Sequence, residues 1–340
     1  MVSIRRPTII DVARLAGVSK ATASRVVAGN NDLVREDTRV RVMEAVRQLG
    51  YERNAIAGSL RTNHTFLIAL SIPDITNPFW PEVARGVQDT LEVGGYATVT
   101  VNSDWNADRE RTYIRMVRRN RFDGLIINPT GATNAELAAL GIPIVVIGSG
   151  DSYPDFDSVG SDTERATEQA LDYLYQLGHR RIGLIAGQSA SSTSYNRYHG
   201  YVHFLAARHI PLDESRVIRC EFSDQAGFVA MQQLLSLPEP PTAVVTANDV
   251  LAVGALKAAR AMNRSVPDDV SIMGMDDIYV AATTFPALTT IAKQKYEIGA
   301  KAAELLLERM SGDYGTEPRR VRFPCTLVVR GSTASPPEPK

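Results

Sequence analysis

The chain has 340 residues, 44% hydrophobic, 22% charged and 7% aromatic, the profile of a globular protein of two or three domains rather than a disordered or fibrous one. No stretch approaches the roughly 18 apolar residues of a membrane span, and Asp11 and Arg14 interrupt any leader-like run near the start, so a cytoplasmic protein is expected. The net charge of −1 hides an asymmetry: residues 1–63 hold 11 Lys and Arg against 6 Asp and Glu, a net +5, while the remainder carries −6, which points to a polyanionic partner for the head alone.

From 8 to 49 the pattern predicts three short helices. Thr8 precedes the apolar run 9–16 as an N-cap, and Asp11 three residues on makes a near capping box. Gly17 stops that helix, and Ser19 caps the next over 20–27. Asp37 or Thr38 opens a third that ends at Gly50, with Val42, Val46 and Leu49 on one face. Two helices joined by a short Gly-containing turn, with a third behind, is the helix-turn-helix plan. Val12, Leu15, Ala16, Val26, Val27 and Val42 are its expected core.

Beyond Thr65 the texture changes. Strand-like apolar runs at 66–72, 97–101, 125–128, 144–147, 182–186, 217–220, 243–246 and 271–275 alternate with amphipathic stretches at 81–92, 109–119, 163–177, 225–235 and 250–262. Such alternation, with continuously apolar strands, predicts an α/β fold of doubly wound parallel sheets covered on both faces. The strand–helix order of roughly 65–160 recurs over 163–290, so two similar lobes with a cleft between them are expected. Ligands of such sheets bind at the carboxyl ends of the strands. The end of the chain, GSTASPPEPK, predicts a frayed tail over 331–340.

Catalytic signatures are missing: the chain has no GxSxG, GxxxxGK[ST] or GxGxxG, so neither an enzyme nor a cofactor is expected. His199 and His203 stand four apart, on one face of a helix, but the sequence shows no third ligand and Gly200 stands where a metalloprotease needs Glu. They read as ordinary surface or cleft histidines, and no metal is expected. Cys220 and Cys325 are too few for a disulfide framework and read as small apolar fillers. Asp268 and Asp269 follow Pro267 in a turn, whereas Asp276 directly follows a strand and is better placed to face a cleft. In the helix over 20–27, Val26 and Val27 face inward and Lys20, Ala21, Thr22, Ser24 and Arg25 outward. Small side chains allow close approach to a major groove, Arg can donate twice to guanine and Lys can neutralise phosphate. A solvated face of any small bundle has the same pattern.

The stretches TIIDVARLAGVSKATASRVVAG and VREDTRVRVMEAVRQLGYERNAIAGSLR resemble the LacI family of bacterial transcription regulators. The likeness continues through PDITNPFW, RFDGLIIN, LGHRRIGLIAG, TAVVTANDVLAVGALKAAR, VPDDVSIMGMDD and PALTTI, from about Thr8 to Val329 in the family's order. The resemblance implies a helix-turn-helix domain over 1–53, a hinge helix and linker over 54–64, and an effector-binding and dimerisation domain over 65–330. Lobe 1 of that domain would take about 65–161 and 292–323, and lobe 2 about 162–291 and 324–330. It further implies a homodimer whose second helices enter the major groove of a pseudo-palindromic operator. Ser19, Lys20, Ala21, Thr22, Ser24 and Arg25 correspond to the reading helix, and Thr8, Asn30 and Tyr51 to phosphate contacts. Asn54, Ala57 and Leu60 fall in the hinge helix, where Leu60 would wedge into the central base step. Gly58 departs from the family there and costs that helix about 1 kcal/mol.

The body resembles periplasmic sugar-binding proteins, which implies a small-molecule effector, a carbohydrate or sugar derivative. Asn77, Phe79, Trp80, Ser149, Thr193, Arg197, Phe222, Asn248, Asp276 and Lys293 correspond to its cleft. Arg197 and Asp276 would pair across it when it is empty. Gly148-Ser149 departs from the Asp-Arg of several sugar binders and removes a charged pair. The expected function is therefore an effector-controlled transcriptional repressor. The alternative, a sugar-binding protein without direct DNA regulation, would lack the basic head, and an α/β enzyme would need a catalytic constellation that the sequence lacks.

Overall fold

The computed structural model describes residues 7–29, 34–52, 64–187, 192–312 and 315–338, without the side chains of 192–195. The chain divides into two units, 1–65 and 66–340. Among the described residues no helix is long and apolar enough to cross a membrane.

In the first unit, α1 (Ile9–Ala16), α2 (Lys20–Val27) and α3 (Glu36–Leu49) enclose a small core. Thr8 caps α1 through a full capping box: the Asp11 N–H donates to Thr8 Oγ1 (3.4 Å), and the Thr8 N–H donates to Asp11 Oδ2 (2.9 Å). Gly17 ends α1 at φ 65°, a left-handed geometry that a side chain would strain. Ser19 Oγ accepts the Thr22 N–H at 3.0 Å and starts α2. The third helix starts at Glu36, one or two residues before the expected Asp37 or Thr38, and Arg35 at its N-cap makes no side-chain cap bond. Val12, Ala13, Ala16, Ala23, Val26, Val42 and Ala45 are buried, with Val27 packed partly against them. Leu15, expected in this core, is exposed. It lies roughly a quarter-turn round α1 from the Val12–Ala13–Ala16 stripe, and alanines at 13, 23 and 45 close the core instead.

The second unit holds two six-stranded sheets. Sheet 1 runs β2-β1-β3-β4-β5-β11, all parallel, from β1 (Leu67–Ile72), β2 (Ala97–Asn102), β3 (Gly124–Ile127), β4 (Ile144–Ile147), β5 (Asp157–Ser161) and β11 (Arg320–Phe323). Sheet 2 repeats the order as β7-β6-β8-β9-β10-β12, from β6 (Ile182–Gly187), β7 (Val217–Cys220), β8 (Ala243–Thr246), β9 (Ser271–Asp276), β10 (Thr289–Ala292) and β12 (Thr326–Val328). Only β12 runs antiparallel to its neighbour. Alternate residues of one strand feed different cores: Ile68, Leu70 and Ile72 join one cluster and Ala69 another. Both faces of sheet 1 are thus covered, as continuously apolar strands require.

Three crossings tie the lobes. The chain leaves sheet 1 after Ser161 into α7 (Thr163–Gln176), returns after Ala292 into α11 (Lys295–Ser311), and leaves again after Phe323. Helix α11 packs closely on α4 (Phe79–Val93), because Gly86 and Gly299 carry no Cβ: one added at either would fall 2.0–2.1 Å from a backbone oxygen of the other helix. Lobe 2 repeats the device between α9 (Asp224–Leu235) and α10 (Asp249–Ala261), through Gly227 and Gly254.

The first part of the expected frayed tail is docked, through Ala334. Ser332 is fully buried; its Oγ donates to the Ile272 carbonyl (2.6 Å) and accepts the Thr289 N–H (2.8 Å). The Ile272 N–H donates to the Ser332 carbonyl (2.9 Å), and the Ala334 N–H to Ser271 Oγ (3.0 Å). Turn-like composition concealed hydroxyls and amides that satisfy backbone groups at the sheet's end.

Candidate functional site

Two parallel sheets of this order have their switch points between β1 and β3, and between β6 and β8. Loops leaving the carboxyl ends of these strands converge. Between the lobes they line a cavity of about 80 Å³, room for roughly five to eight waters at 10–15 Å³ each. Asn77, Phe79 and Trp80 come from the loop after β1 and the first turn of α4, and Ser149 from the loop after β4. From the other side come Arg197 of α8 (Ser192–Ala207), Phe222 after β7, Asn248 after β8 and Asp276 ending β9, and Lys293 stands at a crossing. All nine of these sequence candidates line the cavity. The Thr193 side chain lies outside the described residues.

Local chemistry fixes these positions. Asn77 is buried; its Oδ1 accepts the Phe79 N–H (3.0 Å) and its carbonyl accepts the Trp80 N–H (3.0 Å), turning the chain into α4. Phe79 and Trp80 pack edge-to-face, centroids 5.0 Å apart, and Lys293 Nζ stands 5.6 Å from the Phe79 centroid, a cation–π distance. Asn248 caps α10 by accepting the Leu251 N–H at 2.9 Å. Ser149 is buried, and its carbonyl accepts from Arg322.

Eight further residues line the cavity, and among them sequence reasoning missed the polar or aromatic Trp105, Asn128, Ser161 and Thr163. Trp105 of lobe 1 stacks on Phe222 of lobe 2, centroids 4.9 Å apart and planes at 28°, so the lobes touch through aromatic faces. The Trp105 Nε1 donor is buried and unpartnered among the described residues. Phe222 finds its place because Gly187 lacks a Cβ, which would stand 2.1 Å from the ring. A signal was present in the sequence: an aromatic residue stands three positions past the end of a strand and immediately before Asn106, the cap of α5 (Ala107–Arg119).

Among the described residues the charged lining residues are Arg197, Lys293 and Asp276, two basic groups against one carboxylate. Lys293 Nζ lies 2.9 Å and Arg197 Nη2 3.9 Å from Asp276 Oδ1, all three buried. Arg197 and Asp276 therefore meet within lobe 2 rather than across the cleft, since β9 and α8 belong to the same wall. Burial pushes both cations below their usual pKa ranges, although Asp276 pulls each partly back. Behind them Asp249 is raised to about 8, first by burial and then by the Asp276 charge. Its neutral form is favoured, which leaves Asp276 as the carboxylate that faces the two cations. The backbone at Asp276 is strained, with φ 116°. Lys295 Nζ holds the turn by donating to the carbonyls of Asp276 (3.1 Å) and Asp277 (2.8 Å).

The first unit presents the other candidate surface. Lys20, Ala21, Ser24 and Arg25 are exposed on α2, with Ser19 exposed at its cap and Thr22 half-buried beside it. Among the described residues no carboxylate lies within ion-pair distance of Lys20 or Arg25, so both cations can meet external anions. The Thr8 hydroxyl is engaged in the capping box, donating to Asp11 at 2.7 Å, and Tyr51 packs partly against the core. Asn30, Asn54, Ala57 and Leu60 lie outside the described residues.

Comparisons with known proteins agree with this arrangement. Residues 8–54 match the family described as bacterial regulatory proteins, lacI family, and 171–333 match a periplasmic binding protein-like domain. The HTH-type transcriptional repressor CytR of Escherichia coli (strain K12) is 37% identical over 334 residues, 97% of each chain. Among solved structures, the lac repressor dimer bound to operator and the anti-inducer ONPF superposes with a TM-score of 0.86 at 26% identity, covering 97% of this chain and 100% of that one. A transcriptional regulator CelR–cellobiose complex gives 0.73 at 30% identity, covering 96% and 100%. With a helix-turn-helix head joined to a two-lobed binding body, the chain belongs to the lacI family of bacterial regulatory proteins and is a DNA-binding transcriptional repressor.

Proposed function

We propose that the protein binds a pseudo-palindromic operator in the cytoplasm as a homodimer, and that a small polyhydroxylated ligand in the cleft controls its affinity. The observation that carries this reading is convergence: loops from both lobes meet on one cavity that combines aromatic faces with a buried cluster of Arg197, Lys293 and Asp276. Aromatic faces suit the C–H surfaces of a sugar ring, and Arg197 and Lys293 suit its oxygens. The relative solved with cellobiose and the repressor dimer solved on its operator support the same reading. A ligand touching both lobes favours the conformation in which it makes more contacts, by its differential affinity. Operator and effector must then shift each other's affinity by the same factor.

On DNA, α2 would lie in the major groove with Ser19, Lys20, Ala21, Thr22, Ser24 and Arg25 toward the bases. Thr8, Asn30 and Tyr51 would meet phosphates, and Asn54, Ala57 and Leu60 the minor groove. The test is a mobility-shift titration on a selected palindrome and on scrambled DNA, with a thermal-shift panel of sugars and phosphosugars. Arg25→Ala should cost about 1–3 kcal/mol on the palindrome and relax one base preference per half-site. An equal loss on scrambled DNA would make Arg25 a phosphate contact, and no wild-type sequence preference would refute the operator reading. A cleft ligand at about 100 times its Kd adds about 2.7 kcal/mol of stability.

A further inference from the structure

The sequence lacked a third ligand for His199 and His203; the structure supplies one on another helix. Glu164 lies in the first turn of α7, which packs against α8. The crossing is close because Gly200, between the two histidines, carries no Cβ: one there would fall 2.6 Å from the Glu164 carbonyl oxygen and 3.0 Å from Thr167 Cβ. The i, i+4 histidine face is thereby brought onto the first turn of α7. His203 Nδ1 lies 2.7 Å from Glu164 Oε1, and the two imidazoles sit edge-to-face with centroids 5.0 Å apart. One ligand atom from each of the three residues falls within 4.8 Å of the others.

We propose that Glu164, His199 and His203 form a binding site for a divalent transition ion of the zinc class, joining α7 to α8 on lobe 2. Two neutral imidazoles and one carboxylate are the donor set such ions take when a fourth position stays open to water. Tetrahedral bonds of 2.0–2.2 Å place ligand atoms about 3.3 Å apart. Partly exposed side chains on rigid helices reach that spacing by rotation alone, from the separations present. The Glu164 and His203 side chains are 36% and 54% exposed, so an ion can enter from solvent. The two thiols compete poorly: burial raises Cys220 to about 11 and also raises Cys325, so both stay protonated. The site is distinct from the cleft but adjoins it in sequence, since Thr163 and Arg197 line the cavity one and two residues from Glu164 and His199. An ion there would fasten the first turn of α7 to the middle of α8, close in sequence to both lining residues.

The experiment is calorimetric titration of Zn²⁺ into the full chain stripped with chelator, alongside Co²⁺ absorption spectra. Wild type should take up one ion per chain, with the visible bands of tetrahedral Co²⁺ and a raised melting temperature. His199→Gln, His203→Gln and Glu164→Gln should each weaken uptake at least tenfold, since even outer-shell changes cost 10–100-fold. His209→Gln, away from the cluster, should leave uptake unchanged. Circular dichroism of each variant keeps misfolding from passing as lost ligation. Absence of Zn²⁺ uptake by wild type, or wild-type affinity in any of the three ligand variants, would overturn the assignment.

Discussion

Removing either member of the Arg197–Asp276 pair should have very different consequences, because three charges rather than two share the site. Asp276 Oδ1 lies 2.9 Å from Lys293 Nζ and 3.9 Å from Arg197 Nη2. Asp276→Asn would strand two buried cations without a counter-charge, and breaking a buried pair in this way costs about 3–5 kcal/mol. At roughly 2–4 °C per kcal/mol for a body of this size, the melting temperature should fall by about 6–20 °C. Arg197→Ala leaves the shorter Asp276–Lys293 contact in place and removes a cation that burial already disfavours. Its cost should be about 1–2 kcal/mol, mostly lost packing and the Nε–Met275 Sδ contact at 3.3 Å. For the effector the order reverses. A charged hydrogen bond contributes about 1.5–3 kcal/mol, so Arg197→Ala should weaken ligand binding roughly 10- to 150-fold. Operator affinity without effector should stay within a few fold. Thermal melts and calorimetry with a ligand from the sugar panel read both quantities. If Arg197→Ala destabilised as much as Asp276→Asn, or bound ligand as tightly as wild type, the charge assignment in the cleft would be wrong.

Two further outcomes follow from the same wall of the cleft. Gly187→Ala would drive the Phe222 ring off Trp105, because the new Cβ would stand 2.1 Å from the ring. Effector affinity should fall several-fold with the melting temperature nearly kept, and Trp105 fluorescence should report the lost stack. Asp249 has its folded pKa raised to about 8 from an ordinary value near 3.8, so the folded state holds a proton that the unfolded chain releases. Its stabilisation is complete below about pH 3.8 and is lost as pH rises through about 8. Asp249→Asn can keep an acceptor for the Ile278 N–H and a partner for Thr290. Melts at pH 5 and pH 8 should therefore show a smaller loss in the variant than in wild type, and an identical loss would mean that Asp249 is ionised throughout.

What the sequence made legible follows the physics of each element. Strands such as Ile144–Ile147 and Ala243–Thr246 are buried on both faces, and their apolar runs announce them. Asp157–Ser161 and Thr289–Ala292 are also buried strands, but they open on polar residues whose partners lie far off in sequence, such as Asp157, Thr289 and Thr290. The Asp157 carboxylate accepts from Arg309 Nε (2.9 Å) and Nη2 (2.8 Å), and from the Arg319 N–H (2.6 Å) and Nη2 (2.8 Å). Nothing near Asp157 in the sequence marks partners some 150 residues away. The face of α2 was readable because one helix carries it. Trp105 was not, because its partner Phe222 belongs to the other lobe. The docked tail escaped for a similar reason: Ser332 earns its burial from Ile272 and Thr289, not from its neighbours in sequence.

The two lobes also explain why Asp276 tolerates its backbone. The sheets share one strand order, so β4 and β9 are equivalent, as are β2 and β7. Trp105 and Phe222 follow the equivalent edge strands and meet face to face. Just beyond β4 the chain turns through Gly148 at φ 143°, where glycine is at ease; β9 makes the corresponding exit through Asp276 at φ 116°. Lobe 2 thus places a carboxylate where lobe 1 places no side chain, at a strain of about 1–3 kcal/mol. The cleft gains the one group that holds Arg197 and Lys293 inside it. Asp276→Gly separates strain from charge, since it releases the backbone yet loses the carboxylate, whereas Asp276→Asn loses the charge and keeps the strain. After allowing about 0.5–1 kcal/mol for the freedom of glycine in the unfolded chain, the Gly variant should melt a few degrees above the Asn variant, and both below wild type. A Gly variant that melted no higher than the Asn variant would show that the turn is unstrained, and that the carboxylate occupies its place at no backbone cost.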